Sequence, residues 1–229
     1  MKTYVIGDIH GAYRALLQCF QASGFNEKKD RLIVIGDVCD GYPDTRQCID
    51  ELLNLKYCDL VIGNHDIWAL DWALCGHTPE IWTSQGGNRT IASYGDGPMP
   101  KKHIDFLQNG QLWIKFKRQV FVHGGFNPDI PLSSHSAQAL VWDRQLLDMA
   151  WKKHSMGNSC RFGGYKDIFL GHTTTEIYNT LKPIHVCNVW DIDTGAGWSG
   201  KLTIMDVHTK EYWQSDLSGN LYGGTPNSL

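Results

Sequence analysis

A chain of 229 residues, 42% of them apolar, is long enough to bury one sizeable core and short enough to do so as a single domain. Its formal charge of −3 leaves no broad positive field, so nonspecific attraction to a nucleic-acid polymer has no source and any anion must be held locally. No stretch approaches the length of a membrane span and the start shows no basic-then-apolar leader, so a cytoplasmic protein with no membrane partner is expected.

The first apolar run, Thr3 to Ile6, reads as a buried strand, and Tyr13, Leu16, Leu17 and Phe20 then recur at helical spacing with Gly24 placed to stop the helix. A second strand follows over Leu32 to Ile35, completing a β-α-β opening. Asp44 or Thr45 can cap a helix whose Cys48, Ile49, Leu52 and Leu53 share one face, leading to a third strand over Leu60 to Ile62. The segment from Gly76 to Met99 is the most loop-like, a candidate substrate-facing cap, and otherwise nothing marks a linker in a single domain of 1–229. Paired strands are expected between Leu112 and Val122 around Arg118-Gln119, a helical stretch from about Ala137 to Trp151, a strand over Ile168 to Leu170, and more strands from Val186 to Trp213. Seven cysteines, an odd number without a C-x-x-C pair, are expected to be reduced thiols.

Five short motifs each follow directly on one of these strands: Gly7-Asp8-Ile9-His10-Gly11, Gly36-Asp37-Val38-Cys39-Asp40, Gly63-Asn64-His65-Asp66, His123-Gly124-Gly125 and Gly171-His172-Thr173. Ligands of open α/β sheets bind beyond the carboxyl ends of the strands, so these residues can meet although they are far apart in the chain. Carboxylate, imidazole and amide donors together suit hard or borderline divalent ions, with no thiolate needed. Two ions about 3.5–4 Å apart require a shared carboxylate, and Asp37 is assigned to that position.

The motif order resembles the metallophosphoesterase superfamily, and within it the phosphoprotein phosphatase family of small bacterial and phage serine/threonine phosphatases, across nearly the whole chain. Asp193-Thr194-Gly195-Ala196 is also similar to that family. The resemblance implies an α/β, calcineurin-like four-layer αββα sandwich with a dinuclear metal site at the carboxyl ends of the strands. It implies that Asp8, His10 and Asp37 hold one ion and that Asp37, Asn64, His123 and His172 hold the other, with Mn²⁺ first and Fe, Zn or Mg also compatible. Gly171-His172-Thr173-Thr174 lacks the second histidine of the wider superfamily, which favours the phosphoprotein phosphatase branch. His65 matches the family's general acid and Asp40 the carboxylate that orients it, a pairing that also raises an imidazole's pKa and fixes its tautomer.

The implied activity is hydrolysis of phosphomonoesters, serine/threonine phosphatase-like, by direct attack of a metal-bridging hydroxide. Two departures bear on the substrate. Gly41 stands where the family carries the arginine of D-R-G, removing one phosphate clamp; Arg46 and Arg89 are candidate substitutes, and Arg144 in Trp142-Asp143-Arg144 matches a second phosphate-binding arginine. Asp66 in place of glutamate is shared with bacterial diadenosine tetraphosphatases, so a nucleoside polyphosphate hydrolase is the alternative, and a non-catalytic phosphate-binding descendant a third. Trp68, Trp72 and Trp82 can stack on a base, although packing is the expected use.

Overall fold

In the computed structural model, residues 1–95 and 97–226 are described, so residue 96 of the expected insertion and 227–229 of the expected domain lie outside the described residues. The chain opens with β1 (Thr3–Ile6), α1 (Tyr13–Ser23), β2 (Arg31–Val34), α2 (Thr45–Asn54), β3 (Cys58–Leu60) and α3 (Asn64–Cys75). The short helices α4 (Glu80–Trp82) and α5 (Asn88–Ser93) flank a π turn at Thr83–Gly87, and α6 (Lys101–Gln108) leads to the hairpin β4 (Trp113–Phe116) and β5 (Gln119–Val122). Then come α7 (Ala137–Trp142), α8 (Gln145–Ser155), β6 (Asp167–Leu170), β7 (Ile184–Val186), β8 (Val189–Asp191), β9 (Thr203–Asp206), β10 (Tyr212–Gln214) and α9 (Ser218–Tyr222).

Two five-stranded sheets result, ordered β10-β9-β1-β2-β3 and β4-β5-β6-β8-β7. The pairs β1–β2, β2–β3, β5–β6 and β6–β8 are parallel, leaving β3 as a parallel edge, while β10, β4 and β7 close the other edges antiparallel. The inner strands β1, β2, β5 and β6 read as mostly apolar runs because both of their faces are buried. Tyr4, Ile6, Leu32 and Val34 point outward to α1 and α2, whereas Val5, Ile33 and Ile35 point to the facing sheet. Phe121 and Phe169 answer from the second sheet, stacked at 4.8 Å, while Val120, Val122, Ile168 and Leu170 face α8. Period-two alternation thus separates three apolar clusters and yields the four layers αββα that the motifs implied.

The chain departs from the sequence reading in four places. The helix expected over 137–151 is broken at Asp143-Arg144, because the amides of Gly124 and Gly125 take the Leu140 carbonyl and the Asp143 carboxylate caps a fresh helix through the Leu146 amide. The segment 76–99 is mostly helical rather than a loop, anchored by a fully buried Trp82. Leu17 and Leu53, placed on buried faces by periodicity, are exposed. Cys160 and Cys187, expected as thiols, form a disulfide: folding brings the loop after α8 against the β7–β8 turn with a Cα separation of 5.0 Å, a proximity that a spacing of 27 residues does not signal. Cys19, Cys39, Cys48, Cys58 and Cys75 remain free. No helix of the described residues is long and apolar enough to cross a membrane.

Candidate metal centre

β1, β2, β3, β5 and β6 run parallel or face each other with their carboxyl ends at one edge, and each of the five motifs begins within three residues of a strand end there. The turns are tight enough to force four non-glycine site residues to positive φ: His10 (47°), Asp37 (46°), Asp40 (74°) and His172 (66°). Such conformations are held only where the surroundings over-determine them, and they gather at working sites.

The residues assigned from the motifs converge. One ligand atom each from His10, Asp37 and His65 lie within 4.8 Å of one another, as do atoms from Asp37, His123 and His172, so the two groups share Asp37. His123 Nε2 sits 3.2 Å from Asp37 Oδ2 and 3.0 Å from Asn64 Oδ1, and His10 Nε2 lies 3.7 Å from Asp37 Oδ2. Each of these imidazoles is oriented from behind by a backbone carbonyl: His123 Nδ1 pairs with Ile35 O at 2.7 Å and His10 Nδ1 with Cys39 O at 3.0 Å. A proton spent on the carbonyl leaves the Nε2 lone pair turned inward, the arrangement that a metal-ligating histidine adopts. Asp8 uses Oδ2 to accept the His172 amide at 2.9 Å, while its Oδ1 and the His172 Nε2 are buried with no hydrogen-bond partner among the described residues. Orphaned polar atoms are costly unless something absent from the protein itself satisfies them.

Electrostatics point the same way. Burial, then repulsion from Asp193 and Asp37, pushes the Asp8 carboxyl well above the usual range, and burial lifts Asp193 to about 6. Burial and then the neighbouring His65 hold His10 down to about 4; burial and His123 hold His172 down to about 3. Burial lowers the pKa of His123, but the charge of Asp37 and its hydrogen bond outweigh it and raise it. Buried carboxylates facing lone-pair imidazoles are a donor set that divalent cations fit.

His65 lies in the first group too, but its Nδ1 is committed to Asp40 Oδ2 at 2.6 Å. Burial lowers its pKa and is overcome by Asp37 and Asp40, which lift it to about 9. Asp40 in turn receives the Trp82 indole N–H at 2.8 Å on Oδ2 and the Thr90 hydroxyl at 2.8 Å on Oδ1. Asp66 accepts the amides of Val38, Cys39 and Gly63, pinning the turn after β2 to the start of α3. Sequence reasoning missed Trp82 and Thr90 as partners of Asp40, since some 40 to 50 residues separate them from it and nothing local marks them. The presence of Asp66 was visible, its clamping role was not.

Above the ligand cluster opens a cleft of about 430 Å³, lined by His65, Gln85, Trp142, Arg144, Asp193 and Trp198 among others. The break between α7 and α8 is what brings Arg144 there. Arg46 is exposed on α2 and Arg89 donates to the Pro226 carbonyl; neither lines the cleft, so the structure does not bring these two sequence candidates to the site. Trp82 is buried against Trp72, and Trp68 packs edge-on to His65 and Trp142, so packing accounts for all three tryptophans of the sequence reading.

The calcineurin-like phosphoesterase family model matches residues 1–206. A serine/threonine-protein phosphatase 1 of Salmonella typhimurium is 28% identical over 89% of this chain and 91% of its own, and a symmetrical bis(5'-nucleosyl)-tetraphosphatase of Nitrosomonas europaea is 30% identical over 82% and 69%. A solved structure bearing the name of a diadenosine tetraphosphatase superposes with a TM-score of 0.70 at 15% identity, over 93% of this chain and 92% of that one. A family match over most of the chain, together with the shared fold, makes this protein a member of the calcineurin-like phosphoesterase family.

Proposed function

We propose that the protein hydrolyses phosphomonoesters in the manner of a serine/threonine protein phosphatase, with Asp8, His10 and Asp37 holding one divalent ion, Asp37, Asn64, His123 and His172 the other, and Mn²⁺ as the working metal. As a family member it is a hydrolase of phosphoric esters. The observation that carries the ligand assignment is the pair of buried, unpartnered atoms, Asp8 Oδ1 and His172 Nε2, at the edge of two donor groups joined through Asp37. When bound, two such ions stabilise charge on phosphoryl oxygens and bring the pKa of water from ~15.7 to ~7. The chain supplies the rest. Arg144 offers a forked donor to the phosphate oxygens, and His65, held by Asp40 and protonated at neutral pH, delivers a proton to the leaving oxygen.

A second reading, a dinucleotide polyphosphate hydrolase, is favoured by Asp66, by the named activity of the Nitrosomonas relative, and by Trp142 and Trp198 in the cleft wall, where a base can stack. Turnover of a phosphoserine peptide, diadenosine tetraphosphate and a phosphodiester at one Mn²⁺ concentration separates the two. The peptide is expected to be the best substrate by kcat/KM, and preference for the dinucleotide reverses the order.

Ion binding should also be legible in stability. Asp66 and Asp193 are each pushed up to about 6, Asp66 by burial and then Asp37. A carboxyl whose folded pKa is raised contributes stability below its unfolded pKa of ~3.9 and loses it as pH rises through the folded value. These two carboxyls therefore weaken the ion-free protein between about pH 4 and pH 7. His10 and His172, held down to about 4 and 3, act with the opposite sign, and a bound cation favours the deprotonated state of all four. Melting with Mn²⁺ against chelator is expected to show a gain in Tm larger by ~4 °C or more at about pH 7.5 than at about pH 5. An equal or smaller gain at the higher pH would refute this.

A further inference from the structure

Gly41 stands at φ +68°, and a Cβ there would meet the His10 Cβ and carbonyl at 2.9 Å, so no larger side chain emerges from this position without moving the metal-site turn. The other flank is closed as well. Gly86, at φ +101° in the π turn, lays its backbone directly against the Gly41 amide. Trp82 and Thr90, on either side of that turn, are hydrogen-bonded to Asp40, and the Asp40 amide itself donates to the Thr90 hydroxyl at 2.8 Å. Residues 82–90 are therefore locked onto the Asp40-Gly41 turn at both ends. Their irregular centre delivers Gln85, itself off helical geometry at φ −101° and ψ 22°, to the cleft wall. Gln85 is half-buried, and its side-chain amide makes no hydrogen bond to another described residue. Among the described residues, Arg144 is the only arginine or lysine lining the cleft.

We propose that Gln85 is a substrate-contacting residue that sets the charge selectivity of the site: a neutral amide donor meets the phosphoryl oxygens where a guanidinium at position 41 is sterically excluded. This rests on the phosphoesterase reading of the cleft. A neutral donor holds an anion less tightly than a charged one, and the shortfall is greater for a dianionic monoester than for a singly charged diester. The site consequently tolerates diesters more than one with two cations would. Tuning is available at residue 85 and blocked at residue 41.

Wild type, Gln85→Glu and Gln85→Arg, loaded with Mn²⁺, are compared on p-nitrophenyl phosphate and bis(p-nitrophenyl) phosphate, and inorganic phosphate binding is measured by calorimetry. Gln85→Arg is expected to tighten phosphate by about tenfold and to raise the monoester-to-diester ratio of kcat/KM by about tenfold, mainly through KM. The near-isosteric Gln85→Glu should do the opposite with unchanged melting. Phosphate affinities within about twofold across the three proteins, with one shared ratio, would overturn the proposal. A wild type that turns over neither ester would sink the reading of the cleft instead, while the order of phosphate affinities would still decide the role of Gln85.

Discussion

Asp37→Asn should abolish turnover, by at least ~10³-fold in kcat, while leaving the folded protein intact. Asparagine keeps an oxygen that can accept the His65 amide, now made by Asp37 Oδ1 at 2.9 Å, so the local turn survives. What it loses is the charge shared by both donor groups. The charge is also a source of strain in the ion-free protein, since Asp37 repels Asp8 and Asp66; its removal offsets the loss of the contacts to His10 and His123. Melting in chelator should thus change little, while the gain conferred by Mn²⁺ disappears. A variant that keeps both the Mn²⁺ gain and activity within about tenfold of wild type would remove Asp37 from the shared position.

His65→Asn separates the proton donor from the ion binders. The side chain can still bond Asp40, and the assigned ligand residues are untouched, so the Mn²⁺ gain in Tm should persist. On a phosphoserine peptide kcat should fall by ~10²–10⁴-fold, the usual worth of general acid catalysis. On p-nitrophenyl phosphate the fall should be much smaller, because a nitrophenolate leaves with little need of a proton. The contrast matters because His65 lies close enough to His10 and Asp37 to serve as a ligand itself. In that case both substrates would suffer equally and the Mn²⁺ gain would shrink, an outcome that excludes the acid role.

Legibility of the fold tracked the range of the interactions involved. β1, β2, β5 and β6 are short, mostly apolar runs buried on both faces, and such runs stand out in a sequence because nearly every residue must be apolar; β3, a half-buried edge strand over Cys58–Leu60, begins two residues before the run expected for it. Gly24 ends α1 in the left-handed conformation its placement suggests. The break at Asp143-Arg144 was not legible: the apolar period runs across it, and the cause lies in the amides of Gly124 and Gly125, close in space and distant in chain. The same holds for 76–99, whose glycines and polar residues suggest a loop until Trp82 and Thr90 find Asp40.

The candidate ligand residues could be picked out in the sequence, because parallel strands deliver their terminal residues to one edge and each motif sits at such an end. Which nitrogen of His10 and His123 faces inward, which atoms of Asp8 and His172 lack partners, and which arginine reaches the cleft were decided only by the tertiary structure. Motif context favoured Arg144 over Arg46 and Arg89, but context alone does not place any of the three at a phosphate. A long side chain's use depends on where its backbone is placed and what else competes for its charge, and neither is a local property of the chain.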